Sequence, residues 1–317
     1  MNEEILQLVG TAVLVSLAVT VGAWIVFFVH WSRMGRFPLL LRDRRPIPWT
    51  TAPAVGLLLF GLIFPSFLTE GFQSLVEKEP KVPAIAPSTE QMADHPALIA
   101  VRQEPQMTPT IFFVVALVAP GYEEFLFRLL LLGGLESTLW RIAWRKRWPL
   151  RKWFPSGTTM AIFLTGFLFA ALHIRPTQST QISPIFLSWE LLLFHGTAQI
   201  LVGVLILAVL RRGFGARITD LGLDPGPSGR FWIQDIKIGL FAAALTIVPL
   251  FVLQGIVRIL FQSLHIPMVS DPVAIFLLAI VLGGMYIRTR RLLPCVVLHS
   301  CLNAISVALT VLQSQWP

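Results

Sequence analysis

The stretch GYEEFLFR, residues 121–128, places three charged side chains inside an otherwise apolar run from Ile111 to Leu135. A run of this length can cross a bilayer, which takes roughly 20 apolar residues. Each charge at mid-membrane costs on the order of 3 kcal/mol, so such side chains normally pair, face a wet cavity or do chemistry. On a helix Glu124 and Arg128 stand at i and i+4, which predicts an ion pair. Glu123 lies about 100° further round the helix and has no such partner, so it is available for another role.

The composition of the whole chain is that of an integral membrane protein. Of its 317 residues, 55% are hydrophobic and only 13% are charged, whereas soluble domains are nearer one quarter charged. The two cysteines, Cys295 and Cys301, stand at i and i+6 of one apolar segment, where they face different directions. Neither belongs to a CxxC metal pattern, so we interpret both as core residues.

Apolar segments predict an all-α, polytopic membrane bundle of about eight transmembrane helices. The segments run over Ile5–Val29, Ala52–Leu68, Ile111–Leu135, Gly157–Ile174, Pro184–Leu210, Ile236–Leu264, Pro272–Ile287 and Leu292–Leu312.

The basic residues predict how these helices are oriented. The connections after the first, third, fifth and seventh segments hold 19 of the 25 Lys and Arg residues, and the alternate connections are poor in them. The positive-inside rule therefore predicts that both termini lie outside the cytoplasm, with the cell membrane as the expected location. Because topology accounts for the net charge of +8, we expect no nucleic-acid partner.

Polar side chains recur in three other apolar segments. The fourth segment ends at His173, and the eighth carries His299 and Asn303 at i and i+4, on one helix face. Counted from the segment ends at about 1.5 Å per residue, Glu123 and His299 reach similar depths, whereas His173 comes out nearer the outer side. The fifth segment carries Glu190, His195 and Gln199, for which hydrogen-bonded packing is the simpler interpretation.

Three motifs in order on separate membrane helices resemble the CPBP family of intramembrane proteases, which includes the type II CAAX prenyl endopeptidase. The motifs are Glu-Glu-x-x-x-Arg at 123–128, Phe-x-x-x-His at 169–173 and His-x-x-x-Asn at 299–303. The resemblance implies a membrane domain over residues 105–317 with a helix pair inserted at about 184–264, preceded by N-terminal helices and an extracytoplasmic loop in residues 1–104.

The resemblance also implies roles for individual residues. Glu123 would be the general base, aided by His173, and His299 with Asn303 would stabilise the oxyanion. Glu124, Arg128 and Phe169 would support these groups. The substrate would be a membrane-associated peptide or protein, for example a CAAX-like one, that is bound from the lipid bilayer.

A second histidine competes for the middle motif, because Phe261 to His265 has the same Phe-x-x-x-His spacing. In the family the second and third motifs usually lie close together, and His265 is nearer to His299 than His173 is. We favour His173, since its helix directly follows the Glu-Glu-x-x-x-Arg helix and His265 falls at the outer end of its segment.

Family members are often labelled metalloproteases, so a metal ion such as zinc is left open. Glu123, His173 and His299 would form a two-His, one-carboxylate site with a position open for water. The sequence contains no His-Glu-x-x-His and no Gly-x-Ser-x-Gly motif.

Two other classes of function are compatible with these residues. One is a non-catalytic immunity or scaffold protein of the same fold. The other is a proton-coupled transporter whose buried Glu and His relay protons, supported by a faint similarity between residues 41–49 and 223–232.

Overall fold

The computed structural model describes residues 3–34, 47–76, 105–146, 157–173, 189–226, 229–263 and 272–314. This part of the chain contains no strand and forms a bundle of eight helices joined by turns, which confirms the predicted fold class. Seven are α1 (Glu3–Met34), α2 (Thr51–Val76), α4 (Gly157–Leu172), α5 (Trp189–Phe214), α6 (Arg230–Ser263), α7 (Pro272–Thr289) and α8 (Leu293–Ser314). The remaining helix, α3, runs from the short turn Pro105–Met107 to the segment Gly133–Lys146.

The protein is an integral membrane protein. Five of the described helices are long and apolar enough to cross a bilayer, namely those over Thr51–Leu75, Thr108–Ile142, Glu190–Phe214, Arg230–Val257 and Pro272–Thr289. The other three contribute shorter apolar stretches, Leu17–Val29, Gly157–Leu172 and Leu293–Leu309.

Helix α3 lies at the centre of the bundle and contacts α2, α4, α5, α7 and α8. Every residue from Glu124 to Gly134 is buried, as expected of a helix that is apolar on all sides. Two stretches of α3, Val114–Val118 and Phe125–Leu132, are wound as π-helix. Such turns are rare and occur frequently at functional sites, and here they flank the segment Ala119–Glu124 that carries both glutamates.

Close packing joins the start of α2 to α3. A Cβ added at Gly134 would lie 2.7 Å from the Cβ of Ala54 and 3.0 Å from the carbonyl oxygen of Thr50. Only glycine permits this approach of the two backbones. Nearby, the fully buried indole of Trp49 donates to the Leu130 carbonyl.

Helix α4 runs antiparallel to the second half of α3. Gly157 at its start lies against Leu139, and His173 at its end lies against Glu123. Helix α4 begins opposite Leu139, four residues beyond Leu135, the predicted end of the third segment. The 16 residues from Gly157 to His173 therefore match the 16 residues from Leu139 back to Glu123. This register removes the apparent difference in depth between His173 and Glu123.

Candidate active site

The two charges at the motif of α3 form a fully buried ion pair. Arg128 donates from Nε to Glu124 Oε2 at 3.0 Å, and both side chains are 0% exposed. The terminal nitrogens of Arg128 have no hydrogen-bond partner among the described residues. Its guanidinium carbon instead lies 5.1 Å from the centre of the Phe169 ring, where a cation–π contact compensates in part.

The second oxygen of Glu124 holds a histidine of another helix. His299 Nδ1 lies 3.1 Å from Glu124 Oε1, and the imidazole is buried. Because a carboxylate accepts, Nδ1 is the donor, and the other ring nitrogen points away from Glu124. Glu124 thereby links Arg128, one turn along α3, to His299 on α8.

Glu123 lies between two imidazoles. Its Oε2 is 3.7 Å from His299 Nε2 and 3.8 Å from His173 Nε2. These distances are longer than a direct hydrogen bond, so the three groups surround a small space instead of closing on one another. Glu123 is 28% exposed and His173 is 34% exposed, which leaves this space accessible, in contrast to the sealed Glu124–Arg128 pair.

The orientation of His173 follows from its own helix end. Its Nδ1 lies 2.7 Å from the carbonyl oxygen of Phe169, one of the last carbonyls of α4, which have no partner within the helix. A carbonyl only accepts, so Nδ1 carries the proton. In the neutral ring Nε2 is therefore an acceptor, and it is the atom that faces Glu123.

The buried ring of Phe169 packs against both histidines. Its centre lies 4.4 Å from the ring of His173 and 6.0 Å from that of His299. The Phe127 ring meets it edge-on at 4.9 Å. Phe169 therefore holds the imidazoles at a fixed separation while it covers Arg128.

Asn303 lies one helical turn beyond His299 and is tied to the first π-helical stretch of α3. Its Nδ2 donates to the Val115 carbonyl oxygen at 3.0 Å. One N–H of the amide is used in this bond, and the group has two.

The other polar residues of the sequence lie elsewhere or outside the described residues. His195 contacts Thr69 Oγ1 at 3.1 Å and Gln199 Nε2 at 3.3 Å, between α2 and α5. This is the hydrogen-bonded packing expected of it. His265 falls outside the described residues. The preference for His173 as the histidine of the Phe-x-x-x-His motif is therefore supported only by the position of His173 beside Glu123. Cys295 and Cys301 are free thiols.

The metal-ligating potential of the site can be tested from its geometry. No group of three or more His, Cys, Asp or Glu side chains within the described ranges is arranged to hold a metal ion. A zinc ion needs each donor atom at about 2.0–2.2 Å, which places two donors of one tetrahedral ion about 3.4 Å apart. Glu123 Oε2 lies 3.7 and 3.8 Å from the two imidazole nitrogens. The two-His, one-carboxylate metal site therefore stays a prediction.

Two features of the site carry no signal in the sequence. The contact of Glu124 with His299 joins residues 175 positions apart, and nothing in either motif indicates it. The π-helical turns on both sides of the glutamates also have no recognisable pattern. A further bond, from the Tyr122 hydroxyl to the Gly61 carbonyl at 2.7 Å, ties the motif to α2.

Comparison with known proteins identifies one family. A family model described as type II CAAX prenyl endopeptidase, Rce1-like, matches residues 105–216 and 238–305. These ranges include the site residues of α3, α4 and α8 and more than half of the chain. Neither a curated protein nor a solved structure matches the chain.

Proposed function

The chain belongs to the Rce1-like family of type II CAAX prenyl endopeptidases, and on this basis we propose that it is an intramembrane endopeptidase that hydrolyses a peptide bond with a water activated by Glu123 and His173. The observation that carries the proposal is the accessible space between Glu123 and the two imidazoles. Four polar groups from three separate helices meet there, and only one of their carboxylates is neutralised by a buried arginine.

A water molecule fits the space between Glu123 and His173. Oε2 and Nε2 are both acceptors and lie 3.8 Å apart, within the reach of two hydrogen bonds of about 2.8 Å each. A water that donates to both directs its lone pairs away from them and toward a substrate carbonyl. As the oxygen–carbon bond forms, Glu123 takes a proton, a step for which a positioned base contributes roughly 10²–10⁴-fold.

The remaining groups would stabilise the tetrahedral intermediate. His299 donates from Nδ1 to Glu124, so it can donate to an oxyanion from Nε2 only when the ring is doubly protonated. The charge of that form faces Glu123 and Glu124, at 3.7 and 3.1 Å. The second N–H of Asn303 is the other candidate donor, and a donor of this kind is worth about 3 kcal/mol at the transition state.

Collapse of the intermediate completes the reaction. The carbon–nitrogen bond breaks, the leaving amine takes the proton held by Glu123, and the new carboxyl end departs.

We propose a membrane-associated peptide or protein as the substrate, with a CAAX-like carboxyl end as one candidate. We also propose that the protein lies in the cell membrane with both termini outside the cytoplasm. The helix pair at about 184–264 is proposed to be an insertion in the catalytic membrane domain.

The alternatives make different demands on the site. A non-catalytic immunity or scaffold protein needs the fold but not an accessible carboxylate between two imidazoles. A proton-coupled transporter needs a path across the bilayer, yet Glu124 and Arg128, directly beside Glu123, are completely buried and fixed to each other.

The test is cleavage of a membrane-embedded peptide library by the purified protein in liposomes, with Glu123→Gln as the key variant. This change preserves shape and removes the base. The matched control is Glu190→Gln, which alters an exposed carboxylate near the start of α5. We expect cleavage by wild type and Glu190→Gln and at least a 100-fold loss in Glu123→Gln. Equal cleavage by all three proteins would refute the assignment of Glu123.

A further inference from the structure

We propose that the ion pair between Glu136 and Arg290 is a positioning pair for the active site, setting the register between the helix of the glutamates and the helix of His299. The inference rests on the proposed peptidase function for its catalytic readout. Neither residue belongs to the three motifs.

The contact itself is a close, two-pronged one. Arg290 donates from its two terminal nitrogens to Glu136, at 2.5 and 2.6 Å, and the side chains are only 14% and 12% exposed. Forked arginine–carboxylate pairs of this kind specify geometry as well as charge. Thr158 at the start of α4 also donates to Glu136, at 3.4 Å. Helices α3 and α4 and the turn that leads into α8 are thus connected around one carboxylate.

The backbone at Arg290 is strained. Its φ angle is +54°, and within the described ranges it is the one non-glycine residue with a positive φ. A left-handed conformation is unfavourable for a residue with a Cβ, and glycine would adopt this turn without strain. Because the turn alone gives no reason for arginine, the reason lies in its side chain, which reaches Glu136.

The strained turn controls the entry into α8. Arg290 lies three residues before Leu293, where α8 begins, and His299 follows within the first two turns of that helix. The next residue, Arg291, pairs with Asp235 on α6 and donates to the Asp224 carbonyl at 2.6 Å. The start of α8 is therefore held on one side by α3 and on the other by α6.

Glu136 transmits this restraint to the glutamates because it lies on the same helix. Glu123 and Glu124 stand about three to four turns before it on α3. With the spacing between Glu123 and His299 at only 3.7 Å, a small slide or rotation of α8 disrupts the site. A displacement of about 1 Å at a catalytic group typically lowers the rate about 100-fold.

The experiment compares Glu136→Gln, Arg290→Gly and the double variant Glu136→Gln/Arg290→Gly with wild type in liposomes. The single variants leave one buried charge without its partner, whereas the double variant leaves none and also relieves the backbone strain. The control is Arg212→Gln, which removes an exposed arginine from the last turn of α5. The readouts are kcat and KM on the peptide library, the melting temperature, and amide hydrogen exchange of the peptide covering 290–299.

We expect the double variant to melt near wild type yet to lose kcat about 10- to 100-fold, with KM within about twofold and faster exchange over 290–299. A double variant with wild-type kcat and exchange would overturn the proposal. A parallel loss of melting temperature and kcat, without a local change in exchange, would also overturn it, because the pair would then be merely structural. If wild type itself cleaves nothing, the proposed function fails, and exchange over 290–299 still decides for or against the positioning pair.

Discussion

Glu124 has two partners, and removing it separates stability from catalysis. The change is Glu124→Met, compared with Arg128→Met and with the double variant Glu124→Met/Arg128→Met. Glu124 accepts from Arg128 at 3.0 Å and from His299 at 3.1 Å, and both members of the ion pair are fully buried. The three variants remove these two interactions in different combinations.

The expected magnitudes follow from burial. Glu124→Met leaves the Arg128 guanidinium buried without a carboxylate, which costs about 3–5 kcal/mol. Arg128→Met costs less, because the Glu124 carboxylate still faces His299. The double variant removes both charges and replaces them by apolar chains of similar size, an exchange that is often neutral. Melting temperatures should therefore fall on the order of 10 °C in Glu124→Met and return close to wild type in the double variant.

Catalysis should follow a different order. Without Glu124 the His299 ring loses the acceptor for its Nδ1 proton, so both Glu124→Met and the double variant should cleave about 100-fold more slowly than wild type. Arg128→Met keeps the Glu124–His299 contact and should retain more activity than either.

The assay is thermal unfolding in detergent beside peptide cleavage in liposomes, at one temperature below every melting transition. A double variant that regains both stability and activity would refute the argument, since Glu124 would then serve only to pair Arg128. A Glu124→Met variant as stable as wild type would refute the estimated free-energy cost of leaving the buried Arg128 guanidinium without a carboxylate.

Three further predictions concern packing, the oxyanion and topology. Gly134→Ala places a Cβ against Ala54 at 2.7 Å and should destabilise the protein by about 1–3 kcal/mol, whereas Gly56→Ala, with nothing within 4 Å, should not; thermal unfolding of both variants checks this. Asn303→Ala should lower kcat about 10²–10³-fold with little change in KM if its amide stabilises the oxyanion; a change in KM alone would contradict that role. Reporter fusions at the two termini should both signal a location outside the cytoplasm, and a cytoplasmic signal at either terminus would contradict the predicted topology.

The helical membrane architecture could be predicted from the composition of the chain and from the pattern of its apolar segments. Apolar segment length and the scarcity of charge predict eight membrane helices, because a bilayer imposes a minimum length of apolar chain on each span. The spacing of Glu124 and Arg128 predicts their ion pair for the same local reason, since helix geometry alone brings i and i+4 together. Polar side chains inside apolar segments also identified His173, His299 and Asn303 as candidates, and the family resemblance added their expected roles.

Depth along the chain was a weaker guide to the site. His173 came out too near the outer side when its helix was counted from the segment boundary. The actual register is set by the packing of Gly157 against Leu139, a contact between separate helices that hydropathy does not encode. The roles assigned to the site residues remain proposals that the variants above test.

What the sequence alone determined is thus the membrane class, the number of helices, the pair Glu124–Arg128 and the set of polar residues from which a site could be built. Only the tertiary structure decided that Glu124 binds His299, that Glu123 lies between two imidazoles, and that Arg290 adopts a strained turn to reach Glu136. The physical reason is the sequence separation of the interacting residues. Helix formation and membrane insertion depend on residues that are neighbours in the sequence. Contacts between residues more than 100 positions apart depend on how the helices pack, rotate and slide against one another.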